Sequence, residues 1–121
     1  MFYTVEAQND PPLLRIAMRG FWTIETFHDY VRDCGAAIQE FVARHGRFDT
    51  LGDCNHFPIQ GPEVSAGFER LKEMSDKTPQ NRIAIVTASA LSRIQAERLV
   101  GNPHSRIFAT EAAALEWLDL A

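Results

Sequence analysis

The sequence predicts an α/β domain built on a mixed, mostly parallel five-stranded sheet covered by about four helices, and three observations carry that prediction. Asn81-Arg82-Ile83-Ala84-Ile85-Val86-Thr87 is a continuous apolar run rich in β-branched residues and without helical spacing, which reads as a strand buried on both faces. Residues 2–6 and 13–20 read as short strands around Gln8-Asn9-Asp10-Pro11-Pro12, an opening antiparallel hairpin with a proline turn. From Thr23 onward, segments of helical spacing alternate with strand-like segments, the pattern of right-handed crossovers between parallel strands.

Each element has its own signal. In the second strand Leu14, Ile16 and Met18 share one face and Arg15 and Arg19 the other, and Gly20 ends it. Thr23 can cap the first helix, with Glu25 in the first turn where unpaired amides favour negative charge. Phe27, Val31, Cys34, Ile38, Phe41 and Val42 then form a stripe that should face the sheet. Gly35 lowers helix propensity by up to about 1 kcal/mol relative to alanine and reads as close packing on the sheet or as a bend. Gly46 sits where a left-handed cap is expected, and the cations of Arg44-His45-Gly46-Arg47 complement the helix dipole.

Residues 48–54 form the third strand and residues 55–61 a loop. Pro62 opens a second helix with Val64, Phe68, Leu71, Met74 and Ser75 inward, ending near Lys77 because Thr78 precedes Pro79. A third helix follows Ala88-Ser89-Ala90, with Leu91, Ile94 and Leu99 inward and Gly101-Asn102-Pro103 as its stop. Residues 105–109 make the last strand. Thr110 caps a closing helix whose Ala114, Leu115 and Leu118 turn inward under Trp117.

At 121 residues, 45% of them hydrophobic and 23% charged, residues 1–121 have the size and composition of one globular domain. A net charge of −4 with dispersed basic residues argues against nucleic acid. No apolar run approaches the roughly 20 residues of a membrane span, and Met1-Phe2-Tyr3-Thr4-Val5-Glu6 does not resemble a secretory signal. A cytoplasmic location is the expectation, with Cys34 and Cys54 as free, space-filling thiols.

Met18-Arg19-Gly20-Phe21-Trp22-Thr23, the run from Arg82 to Val86, and the tail from Arg106 to Leu118 together resemble the SpoIIAA-like family. That family is related to the domain shared by sulfate transporters and anti-sigma-factor antagonists (STAS). The resemblance spans nearly the whole chain and implies one domain of order β-β-α-β-α-β-α-β-α, with an interaction, regulatory or hydrophobic-ligand-binding role. Anti-sigma-factor antagonists open their second helix with a phosphorylatable Asp-Ser-Ser/Thr-Gly segment. This chain has Ile59-Gln60-Gly61-Pro62-Glu63-Val64 there, so the usual phosphate switch is not expected. Ser65, one turn later, reads as an ordinary exposed helix serine.

In open α/β sheets ligands settle beyond the carboxyl ends of parallel strands, where crossovers diverge to opposite faces. That rule brings Phe21, Trp22, Asp53, Cys54, His56, Phe57, Thr87 and Ser89 to one rim, a candidate amphipathic pocket under Trp22 and Phe57. The competing reading is that these aromatics close the top of the core. Asp53 and Cys54 point to opposite faces of a strand, which weakens a metal or cysteine-nucleophile reading. His28, His45 and His104 read as structural or exposed. Nucleotide, esterase and zinc-protease motifs are absent.

The first functional expectation is a non-enzymatic regulatory or protein-interaction module without a cofactor. The alternative is a carrier or sensor of a small apolar or lipid-like ligand. A small enzyme using Asp53 or His56 is the third. The opening hairpin also leaves a sheet edge, with Phe2 and Tyr3 on it, through which two copies could pair.

Overall fold

The structure, a computed structural model, describes residues 2–75, 80–99 and 103–120. The elements are β1 (Tyr3–Asn9), β2 (Pro12–Arg19), α1 (Ile24–His45), β3 (Phe48–His56), α2 (Pro62–Ser75), β4 (Gln80–Val86), α3 (Ala90–Leu99), β5 (Ser105–Phe108) and α4 (Glu111–Trp117). The five strands lie side by side in chain order. β1 runs antiparallel to β2, with Tyr3 opposite Met18 and Asn9 opposite Pro12. β2, β3, β4 and β5 are parallel. The mixed, mostly parallel α/β sheet read from the sequence is therefore the one observed.

Because each parallel strand is added in the same direction, right-handed crossovers carry α1, α2 and α3 to one face of the sheet. Leu14, Ile16 and Met18 of β2 and Ile85 of β4 meet Phe27, Tyr30, Phe41, Phe68 and Leu99 there. On the other face Leu13, Leu51, Ala84 and Val86 pack against Ala114 and Leu118 of α4. β4 thus gives Ile85 to one layer and its neighbours to the other, which explains its unbroken apolar run. Among the described residues the three crossovers never diverge to opposite faces, so the expected strand-order reversal is absent.

The ends follow the local chemistry. The Thr23 hydroxyl caps α1 by accepting the Thr26 amide, Gly46 closes it at φ 77° with its N–H on the Val42 carbonyl, and Thr110 caps α4. Arg82 holds the far end of α4, donating to the Trp117 carbonyl at 2.7 Å and to Asp49 at 3.2 Å.

Several expectations need correction. β1 and β3 run longer than predicted, because β1 pairs with β2 as far as Asn9 and β3 pairs with Arg19 through His56. Tyr30, absent from the predicted stripe of α1, is buried at the centre of the core. Met74 is 68% exposed, and Leu91 and Ile94 stand outward on α3 while Gln95 and Ala96 turn in. Gly35 is not closely packed, since a Cβ there would meet nothing within 4 Å. The expected stops at Lys77-Thr78-Pro79 and Gly101-Asn102 lie outside the described residues.

Candidate functional site

The tips of β2, β3 and β4 meet. The Gly20 amide donates to the His56 carbonyl at 2.9 Å, and the Ala88 amide donates to Asn55 Oδ1 at 3.0 Å. Trp22 and Phe57 are in edge contact with centroids 5.1 Å apart. Trp22, 1% exposed, is also ringed by Tyr3, Tyr30 and Phe68 at 5.2–5.8 Å. The indole N–H donates to the Arg19 carbonyl at 2.9 Å. Phe57 is buried, Phe21 is exposed against Gly61, and His56 is exposed. Asp53 accepts the Asn55 amide at 3.0 Å, and Ser89 accepts the Ser92 amide at 3.3 Å. Thr87 is buried, and its hydroxyl has no hydrogen-bond partner among the described residues. Burial, with Asp53 adding to it, pushes the Cys54 thiol up to about 12, so it stays protonated. The described residues hold no group of three His, Cys, Asp or Glu able to hold a metal.

What fastens this rim is a glutamine pair that pattern reading passes over. The Gln60 side chain accepts the Trp22 amide at 2.8 Å and donates to the Gly20 and Pro58 carbonyls at 3.0 and 2.7 Å. The Gln60 amide donates to Gln95 Oε1 at 2.8 Å, and Gln95 donates to the Pro58 carbonyl at 2.9 Å. Both glutamines are buried, so they tie β2, the loop after β3 and α3 together where water cannot compete. Ser65, half-buried rather than exposed, donates to the Gln60 carbonyl at 3.4 Å.

An apolar space lies below the rim, between α1, α2 and the helix-covered face of the sheet. It is a half-enclosed chamber of about 370 Å³. Ile16, Gly52 and Ile85 stand side by side across its floor. Tyr30, Cys34, Gly35 and Ile38 of α1 and Phe68 and Leu71 of α2 form the walls, and the exposed Gln39 and Met74 mark the mouth. The cause is two missing side chains: a Cβ on Gly52 would find its nearest neighbour, the Ala84 carbonyl, at 4.0 Å, and one on Gly35 would find none. Polar groups inside are neutral. Burial first, and then Cys34, holds the Tyr30 hydroxyl well above its ordinary value, and burial raises the Cys34 thiol. Of the eight residues expected at the site, Cys54 alone lines this chamber.

No protein-family model matches the chain, and no curated protein does. The chain is similar to the crystal structure of an uncharacterised DUF3478-family protein from Shewanella loihica PV-4 that has a SpoIIAA-like fold. The TM-score is 0.69 at 18% identity, covering 96% of this chain and 91% of the other. At that identity the likeness establishes architecture. Among the described residues no helix is long and apolar enough to cross a membrane. The chain has a SpoIIAA-like fold, with five strands in sequential order and three helices on one face.

Proposed function

We propose that this protein binds a small apolar ligand in the chamber between α1, α2 and the sheet, and acts as its carrier or sensor. The observation that carries the reading is the chamber itself, about 370 Å³ and lined mainly by apolar side chains. Ligand pockets run from roughly 300 to 1,000 Å³, and a cavity of about 150 Å³ already holds benzene. The proposed place differs from the rim near Trp22. It lies under the Trp22 cluster and shares the Tyr30 and Phe68 rings with it.

Native mass spectrometry and Trp fluorescence with a series of linear alcohols test this. Saturable binding that Gly35→Leu abolishes, with the variant still folded, is the expected result. Equal binding by both proteins would place the ligand elsewhere and overturn the reading.

A regulatory or protein-interaction role has separate support. Ile59, Leu91 and Ile94 are 58–64% exposed and border an open groove between α2 and α3. Affinity capture tests it: recovery of no partner, together with tight small-molecule binding, would remove it. Pairing of two copies through β1, an outer strand of the sheet, belongs to the same reading and is checked by light scattering at micromolar concentration.

A further inference from the structure

Resting on the protein-interaction reading, we propose that the partner at β1 is a second copy of this chain, paired antiparallel about a two-fold axis at Val5. The ladder on the inner side of β1 decides what its outer side offers. The Arg19 amide donates to the Phe2 carbonyl at 2.9 Å, so those two residues form a hydrogen-bonded pair. The unbroken register carries the alternation on through Thr4, Glu6 and Gln8. Tyr3, Val5, Ala7 and Asn9 therefore turn their backbone groups outward. β1 is seven residues long, holds neither proline nor lysine and pairs without a bulge, so the usual devices that blunt an outer strand are missing from it. β5, the other outer strand, has four residues and carries the exposed Arg106.

Because odd positions alone can exchange bonds across this edge, few two-fold registers are open. A centre at Glu6 sets its carboxylate against its own copy, a destabilising like-charge pair. A centre at Thr4 or Ala7 shortens the shared ladder. With the centre at Val5, Tyr3 faces the partner's Ala7, Thr4 the partner's Glu6 and Phe2 the partner's Gln8, and no like charges are opposed. α1 favours a second copy over an unrelated strand. It runs alongside β1, fastened by Tyr3 to Asp33 at 2.5 Å at one end, while at the other Arg44 and His45 lie 3.3 and 3.0 Å from Asn9. Glu25, Asp29 and Asp33 outweigh Arg32 in its first half, and Arg44 with Arg47 outweighs Glu40 in its second half and the residues just after. A two-fold axis reverses one α1 against the other, so the acidic end of each copy comes to the basic end of its partner.

Light scattering and cross-linking of the full chain test this. The wild type should be a dimer at micromolar concentration. Ala7→Pro removes an outward N–H from an exposed residue and leaves the ladder to β2 intact; it should be monomeric with an unchanged circular dichroism spectrum, and Ala7→Ser should stay dimeric. With oxidised glutathione, Val5→Cys should form a symmetric disulfide at least about tenfold faster than Glu6→Cys, whose two copies would lie beyond the roughly 7 Å that a disulfide spans. Faster cross-linking at Glu6→Cys would overturn the register while leaving β1 as the interface. A dimer that survives Ala7→Pro and cross-links at neither position would overturn pairing through β1. A wild type that stays monomeric to millimolar concentration would overturn the second copy as partner, and the wider interaction reading would still stand or fall by affinity capture.

Discussion

Two helical glycines use a missing side chain in opposite ways. At Gly67 of α2 a Cβ would lie 2.5 Å from Cε2 of Phe27, so α1 and α2 approach each other only because that position is bare. At Gly35 of α1 a Cβ would meet nothing, and the bare position opens the chamber. The same substitution should therefore act with opposite sign. Gly67→Ala should cost roughly 1–3 kcal/mol through overpacking. Gly35→Ala should add roughly 0.5–1 kcal/mol from helix propensity, both read from chemical denaturation. Gln60 is the other residue on which the rim depends. Gln60→Ala would strand the buried Trp22 amide and the Gly20 carbonyl, while Gln95 keeps its bond to the Pro58 carbonyl, at about 2–3 kcal/mol by the same measurement. Neither effect is legible in the sequence: Gln60 meets Trp22, Gln95 and Gly20 from 35 to 40 positions away, and a lone glutamine between Ile59 and Gly61 looks like exposed loop.

At the scale of elements, periodicity located what it could. The stripe of α1 is strongly spaced, and Phe27, Cys34 and Phe41 are buried as it requires. On α3 the apolar residues mislead, because Gln95 is drawn inward by its bonds to the loop after β3 and turns Leu91 and Ile94 out. β1 is joined to α1 by a titratable contact, the Tyr3 hydroxyl donating to Asp33 at 2.5 Å. That bond, assisted by Arg32, lowers the Asp33 carboxyl below its ordinary 3.8. The bond to Asp33 followed by burial raises Tyr3 from 10.0 to about 12. A depressed acid contributes stability above its ordinary value and loses it as pH falls through the lowered one. A raised phenol contributes below 10.0 and loses that contribution as pH rises to about 12. Asp33→Asn should return Tyr3 toward 10.0, as followed by NMR of the Tyr3 ring. Unchanged Tyr3 titration in the variant would show the contact to be inert.

For the whole molecule, the strand order, the opening hairpin and the β4 core could be read in advance because they rest on local pattern and on the handedness of crossovers. The chamber could not. It depends on atoms missing at Gly35 and Gly52, on different elements, and on the register that sets Gly52 between Ile16 and Ile85. A strand glycine and a helix glycine each have ordinary local explanations, and only their shared space reveals the void. The rim expected near Trp22 is instead filled by five packed rings and closed by two glutamines. The open apolar space lies toward the middle of the sheet instead.

The most direct measurement of the central claim is a methyl-labelled NMR titration of the wild-type chain and of Gly35→Leu with 1-decanol. The isoleucine methyls of Ile16, Ile38, Ile83 and Ile85, which line the chamber, should shift together and saturate in the wild type, while those of Ile59 and Ile94 stay still, and the variant should show no response. Shifts confined to Ile59 and Ile94, or the same chamber shifts in Gly35→Leu, would contradict it.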